Sequence, residues 1–286
     1  MQGFINVFKP QNLSSAKVVS KIKHKFNLNK VGHMGTLDPL ACGILPIAIG
    51  KATRLFDYFL EKDKTYIAIF KFGVRSNTFD LDGNVEYNTG LIPSNEDILK
   101  VLPNFVGELN QLPPSFSAKV INGEKAYKLA RRGENVELKP KHVTVYKFNL
   151  IEKVDADSFK FEITCSSGTY IRSLVRDVAI MLNTTGILSY LERTKSGYFS
   201  VDTCVKLDDL LNNDINNYII PCNKVFPQFE NLQVDMSDFT KIKNGLVIKT
   251  EHCDVENIFV FNDDVLLGVA QIKDNYLKLK TFLLDD

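Results

Sequence analysis

The sequence predicts an α+β fold, with a large body followed by a small β-rich module. Three observations carry that prediction. With 286 residues, 44% hydrophobic and 24% charged, 16 Gly and 10 Pro, the composition is that of an ordinary globular chain, which excludes collagenous, low-complexity and wholly disordered readings. Over roughly the first two hundred residues, short strand-like runs alternate with a few amphipathic helices. After about Asp214 the texture changes to Asn-rich connectors with Pro221 and Pro227, and then to short strands and turns. The expected organisation is a body over 1–225 and a C-terminal module over 226–286.

Taken in order, Phe4-Ile5-Asn6-Val7-Phe8 reads as a strand stopped by Lys9-Pro10. Ser14 or Ser15 can cap a helix running through Phe26, with Val18, Ile22 and Phe26 on one face and Lys17, Lys21, His24 and Lys25 on the other. Gly43 to Gly50 is a buried-strand candidate, 52–60 a short helix, and Lys64–Phe72 a strand ended by Gly73. Asp82-Gly83-Asn84 is a turn leading into a further strand, and Ser94 with Asp97 makes a capping box for a helix to about Val101. A strand over Phe159–Cys165 and a turn at Ser166-Ser167-Gly168-Thr169 precede a helix over 170–182. On that helix Ile171, Leu174, Val175, Val178 and Leu182 form the apolar stripe, while Arg172 and Arg176 lie four apart on another face. In the module, 258–261 and 265–272 form a hairpin around Asn262-Asp263-Asp264, followed by a strand over 276–283.

Other classes of function are excluded or disfavoured. Cys42, Cys165, Cys204, Cys222 and Cys253 contain no C-x-x-C pair, and His24, His33, His142 and His252 lack ligand spacing. Neither a zinc site nor a disulfide framework is expected. No dinucleotide fingerprint or P-loop is present. Nothing reads as a signal peptide or an apolar span of ~18 residues, so a cytoplasmic chain with reduced thiols and no membrane partner is expected. The formal net charge is +1. Nucleic-acid binding would therefore have to come from local patches.

The most informative stretch is Val31-Gly32-His33-Met34-Gly35-Thr36-Leu37-Asp38-Pro39-Leu40-Ala41-Cys42-Gly43-Ile44-Leu45-Pro46. Its glycines permit positive φ and close approach of a ligand, and Pro39 restricts Asp38 to extended geometry. A loop so tightly specified around one carboxylate points to a working carboxylate. The plainer alternative is that Asp38 starts a turn, as Asp before Pro commonly does.

This stretch closely resembles the G-H-x-G-[TA]-L-D-P-L-A-x-G-[VL]-L-P signature of the TruB family, the bacterial tRNA pseudouridine-55 synthases. Further blocks resemble the same family in order: Lys9-Pro10-Gln11-Asn12-Leu13-Ser14-Ser15, Asp63-Lys64-Thr65-Tyr66, Pro113-Pro114-Ser115-Phe116-Ser117-Ala118-Lys119-Val120, the run from Gly123 to Arg131, Ser167-Gly168-Thr169-Tyr170-Ile171-Arg172-Ser173-Leu174, and Leu191-Glu192-Arg193-Thr194. Together they span residues 3 to about 200. Asn12 stands where the family usually has Gly, and Glu192 where it is typically basic. The resemblance implies a pseudouridine synthase catalytic domain, with a central mixed, mostly antiparallel sheet flanked by helices, and a PUA-like RNA-binding module, for which only short segments match.

The implied reaction detaches uracil from C1′ of the T-loop uridine of tRNA, position 55, after the base is flipped out, and rejoins it through C5. It moves no electrons in or out and imports no group, so it needs no cofactor and no metal. By resemblance Asp38 acts at C1′ or its sugar neighbour, Arg172 pairs with it, and Tyr66 stacks on the target base and serves in proton exchange. A free Asp carboxyl ionises near pH ~3.9. Burial against a base would push that value up, and a fixed guanidinium opposes the push. Tyr170 and Leu191 resemble residues lining the uracil pocket, His33 the residue that fills the space left by the base, and Asp80 an acid near the site. Plain packing is the alternative for Tyr66 and Leu191, and a surface charge the alternative for Arg172.

RNA contacts are expected from Lys9, Lys64, Lys119, Lys125, Arg131 and Arg132, with acidic residues concentrated elsewhere. The expected partner is the T-arm stem-loop of tRNA, bound by a monomer that needs no protein partner. Three alternatives stay open at this point: a T-arm-binding folding helper, a synthase acting on another RNA, and a guide-RNA-dependent relative.

Overall fold

The structure, a computed structural model, describes residues 1–60, 62–117, 119–121, 123–134 and 138–284. Ala118, inside one of the family-like blocks, lies outside the described residues.

Strand β1 (Gly3–Lys9) is almost wholly buried. Helix α1 (Ser15–Lys25) begins where the sequence places it, because the Ser14 hydroxyl accepts from the Lys17 N–H at 3.2 Å. Its Val18 and Ile22 are buried, and its lysines are exposed. Strand β2 (Val31–His33) leads into the Asp38 loop, and every residue of β3 (Cys42–Ile49) is buried. The short helix expected over 52–60 divides into a 3-10 turn, Gly50–Leu55, and α2 (Phe56–Leu60).

Strand β4 (Lys64–Phe72) alternates buried and half-buried residues along its length, the pattern of a strand packed more tightly on one face. A small hairpin follows, β5 (Val74–Ser76) with β6 (Val85–Tyr87), then α3 (Asn95–Val101) with the predicted capping box. Next come β7 (Gly107–Gln111), the hairpin β8 (Val120–Ile121) and β9 (Glu124–Lys125), and α4 (Ala126–Arg131). The body closes with β10 (Lys141–Lys153), β11 (Ser158–Cys165), α5 (Ile171–Met181), β12 (Gly186–Ser196), β13 (Phe199–Ser200), β14 (Val205–Lys206) and α6 (Leu207–Asn212).

The main sheet runs β14-β1-β3-β12-β4-β11-β10-β7, with β2 beside β3 and β13 beside β12. Pairs β1/β14 and β3/β12 are parallel and the rest antiparallel, so the sheet is mixed and mostly antiparallel. Helix α5 packs its stripe against Phe70, Phe148, Phe161 and Ile163 of the sheet. Helices α1 and α6 cover Ile5, Val7, Leu45 and Ile47. Each fully buried Phe or Ile contributes about 1.5–3 kcal/mol relative to exposure.

In the C-terminal part, α7 (Cys222–Val225) precedes β15 (Glu230–Gln233), α8 (Met236–Lys243), β16 (Ile248–Lys249), β17 (Val255–Asn262), β18 (Val265–Lys273) and β19 (Tyr276–Phe282). The strands form a separate sheet ordered β15-β17-β18-β19-β16. Helix α8 does not follow from a purely β reading of this segment. The Asp235 carboxylate caps it by accepting from the Asp238 N–H at 2.8 Å, and Asn244-Gly245, read from sequence as a turn between strands, ends it. The two parts share an apolar seam in which Phe4, Phe59, Phe199 and Phe226 meet Phe259, Val269 and Leu283.

Glycine is required at one point that matters for the loop. Gly43 has φ +100°, and a Cβ there would sit 2.4 Å from the Arg193 carbonyl oxygen and 2.6 Å from its nitrogen. This contact is the parallel β3/β12 pairing, Arg193 opposite Gly43. Gly43→Ala should cost about 1–3 kcal/mol from backbone conformation and more from the clash. The check is thermal unfolding, where a drop of several degrees or loss of soluble protein is expected.

Candidate active site

The Asp38 loop is tied down at several points by groups outside it. The Ser15 hydroxyl donates to the Leu37 carbonyl (3.0 Å) and accepts from the Leu37 N–H (2.9 Å), so the first turn of α1 clamps the residue before Asp38. The Asn12 N–H donates to the Pro39 carbonyl at 2.8 Å, from a backbone at φ +62°. Asn adopts this left-handed geometry more readily than most residues, which accounts for its presence where the family pattern has Gly. Within the loop, the Ala41 N–H donates to the Asp38 carbonyl at 3.1 Å. Asp38 therefore does start a turn, and its carboxylate is still available beyond it.

That carboxylate meets Arg172 of α5 at 2.9 Å. The Arg172 side chain is only 6% exposed, and that of Asp38 is 40% exposed. The guanidinium is held on four sides. It donates to the carbonyls of Thr78 (3.1 Å) and Phe116 (2.9 Å) and pairs at 3.4 Å with Asp80, which is itself buried. Asp80 in turn accepts from the Thr78 hydroxyl (2.5 Å) and the Asp82 N–H (3.0 Å). Burial pushes the Asp80 carboxyl above its usual range, opposed chiefly by the Arg172 charge. One guanidinium thus lies between a buried carboxylate and one open to the cleft, which fixes its plane.

Arg172 is aimed by the start of α5. Gln111 at the end of β7 hooks the Tyr170 backbone twice, accepting its N–H at 2.7 Å and donating to its carbonyl at 3.0 Å. Sequence reasoning did not single out Thr78 or Gln111, and read Ser15 only as a candidate helix cap, a role that Ser14 takes. Only the tertiary fold brings them to the site, although Ser15 belongs to one of the family-like blocks.

Asp38 opens into a cleft of about 450 Å³, also lined by His33, Thr36, Asp80, Phe116, Ser117, Lys125, Tyr127, Arg131 and Arg172. A larger cavity of about 830 Å³ lies away from these groups, between the two sheets. His33 is half-buried, with its Nδ1 enclosed and unpartnered. Burial first, then the charges of Arg193 and Lys125, lower its pKa and favour the neutral ring. Tyr66 and Leu191 do not line the cleft. They lie in one buried apolar cluster with Leu37, Ala41 and Ile171. Burial pushes the Tyr66 phenol up to about 12. Tyr170 is half-buried, and its phenol is likewise pushed up by burial.

The expected basic face divides. Lys125, Arg131 and Arg132 are exposed and Lys119 half-buried. Arg132 is already paired with Glu124 and Glu134. Lys9 and Lys64, expected to contact RNA, are instead buried. The Lys9 ammonium donates to the carbonyls of Pro10 (2.9 Å), Leu13 (2.6 Å) and Pro39 (3.4 Å), so it ties β1 to the Asp38 loop. Lys64 donates to the Lys62 carbonyl. Burial lowers each to about 8. A lysine in a basic motif reads as a surface charge, and only the sheet shows that β1 and β4 place these two inward.

Among the described residues, no cluster of His, Cys, Asp or Glu could hold a metal ion, and no helix is long and apolar enough to cross a membrane. The arrangement suits chemistry by one anchored carboxylate beside a cationic rim. A family model described as "TruB family pseudouridylate synthase (N terminal domain)" matches residues 23–171. A tRNA pseudouridine synthase B of Clostridium kluyveri is 38% identical over 88% of this chain and 86% of its own length. One of Ehrlichia ruminantium is 38% identical over 97% and 98%. In fold, the chain is similar to a solved Cbf5-Nop10-Gar1 complex, with TM-score 0.73 and 24% identity over 99% of this chain and 85% of that one.

The buried pair makes a prediction with a definite sign. Because the Asp80 pKa is raised by folding, its ionised form lowers stability relative to its protonated form. The favourable contribution is complete below the unfolded value near ~3.9 and is lost as pH rises through the higher folded value. The melting temperatures of wild type and Asp80→Asn should therefore differ most at neutral pH and converge on acidification, starting above the ordinary carboxylate range. A difference independent of pH between 4 and 8 would contradict this.

Proposed function

This chain belongs to the TruB family of pseudouridylate synthases, and we propose that it isomerises the T-loop uridine of tRNA, position 55, to pseudouridine with Asp38 as the reacting carboxylate. The observation that carries the reading is the Asp38–Arg172 pair at the cleft, with the loop backbone pinned from β1, α1 and β12.

The uridine is flipped out of its stack into the cleft, since its C1′ is inaccessible inside a folded loop. An Asp38 oxygen attacks C1′, the C1′–N1 bond breaks, and its electron pair leaves with the uracil. Alternatively the same oxygen removes the neighbouring sugar proton, and the bond breaks by elimination. Either route divides one difficult exchange into easier steps. The uracil turns and its C5 attacks C1′, displacing the Asp38 oxygen, or, after elimination, adds to C1′ while Asp38 returns the sugar proton; C5 then gives up its proton and N1 takes one up. Arg172 keeps the carboxylate aimed and its charge compensated in a site that has lost water. Leu37 lines the cleft, with Tyr66 and Leu191 in the apolar cluster that backs it, a surface that supports a base without fixing its rotation.

Lys125 and Arg131 at the cleft supply phosphate contacts, joined by the exposed lysines of α1, whose first turn lines the same cleft. The chain works as a cytoplasmic monomer, with no cofactor and no protein partner.

The test is conversion of an unmodified T-arm hairpin, mapped by carbodiimide-blocked primer extension. Wild type should give one pseudouridine at the T-loop position. Asp38→Asn should lose at least about 10³-fold in turnover, and Arg172→Lys about 10²-fold through the lost fork geometry, both with RNA affinity within a few-fold of wild type. Binding without product from a folded wild type would point to the folding-helper reading. Affinity should also weaken with added salt, and Lys125→Ala or Arg131→Ala should each reduce the log–log salt slope by about one. An unchanged slope would remove the proposed RNA face.

A further inference from the structure

Arg193 is 1% exposed, and its guanidinium has no carboxylate partner among the described residues. It is held by oxygens alone. Nε donates to the Ile44 carbonyl at 2.9 Å and Nη2 to the Gly35 carbonyl at 3.1 Å, while the Tyr66 hydroxyl lies within hydrogen-bonding reach. Gly35 and Ile44 bracket the Asp38 loop, three residues before the aspartate and six after it.

Sheet register brings these groups together. Arg193 is the direct cross-strand partner of Tyr66 in the antiparallel β12/β4 pair and of Gly43 in the parallel β12/β3 pair. A slip of one residue would send the side chain to the other face of the sheet. Buried cations without a counter-charge are costly and uncommon.

We propose that Arg193 is a positioning residue for the isomerisation: its planar fork fixes both ends of the Asp38 loop relative to the Tyr66 phenol, so that the attacking carboxylate and the buried ring packed with Leu37 and Ala41 share one rigid reference. Arg172 steers the carboxylate itself, and Arg193 steers the backbone that presents it. The division explains why two buried arginines serve one aspartate. This inference rests on the assigned activity, with Asp38 as the reacting group.

The experiment compares wild type, Arg193→Gln, Arg193→Lys, Tyr66→Phe and the double variant Arg193→Lys/Tyr66→Phe. Three quantities are read: single-turnover pseudouridine formation at saturating T-arm hairpin, hairpin affinity, and thermal unfolding. Lysine keeps the charge but cannot reach both carbonyls and the phenol in one plane. The expected result for Arg193→Lys is a rate constant at least tenfold lower, with affinity within about threefold of wild type. The double variant should be no more than about twofold slower than the slower single variant, because both changes break one unit.

Three outcomes overturn the proposal: a folded Arg193→Gln within twofold of the wild-type rate, strictly additive losses in the cycle, or a loss confined to affinity. Should Arg193→Gln fail to fold, the Lys and Phe cycle decides alone. A wild type that yields no pseudouridine overturns the functional assignment and this inference with it, whereas an active wild type with unaffected Arg193 variants overturns the inference only.

Discussion

One guanidinium between two carboxylates is the constraint on which the site depends. Arg172 is held by Asp80 and two backbone carbonyls independently of Asp38, whereas Arg172 is the ion-pair partner of the Asp38 carboxylate among the described residues. The asymmetry in exposure fits this order. The cation and Asp80 are buried and fixed, and Asp38 alone reaches the open side. Much of the surrounding architecture serves to deliver that cation: β7 supplies the Gln111 hook, α5 carries the arginine, and the β5–β6 hairpin region supplies Thr78 and Asp80.

What the sequence made legible follows the range of the forces involved. Local signals worked: the Ser14 cap, the Ser94–Asp97 box, the strand over Lys64–Phe72 and the helical stripe of α5. The long strand β10 gave no such signal, since only Val143, Val145 and Phe148 among its thirteen residues are buried. Helix α8 was hidden by its brevity in a segment rich in strands. At the site, Asp38 and Arg172 are paired only through the family-like pattern of blocks, because 134 positions separate them. Arg193 stood in one of those blocks unremarked, since a charge in a strand is ordinarily read as facing solvent.

The fate of the lysines makes the same point from the other direction. Lys9 and Lys125 look alike as basic residues near matched motifs. Lys9 is on an inner strand, where its ammonium replaces water with three carbonyls, while Lys125 precedes a short exposed helix and keeps its hydration. Net charge close to zero therefore conceals two populations of cation, one that organises the backbone and one that is offered to a polyanion. The seam of phenylalanines between the two sheets adds a third kind of organisation. It couples the small sheet to the body through apolar contact, and at its edge Arg54 donates to the Phe282 carbonyl (2.6 Å) and the Tyr58 hydroxyl meets that of Thr281 (3.0 Å).

The carbonyl of Phe116 has a dual allegiance. It accepts from Arg172, yet it belongs to the segment that leads straight into the β8–β9 hairpin and the cationic residues of the cleft mouth. The same short segment thus carries an acceptor of the Arg172 guanidinium and, a few residues on, Lys125 and Tyr127 of the cleft lining. Anchoring of the buried cation and shaping of the cleft mouth therefore fall to one stretch of backbone, and a substitution there bears on both.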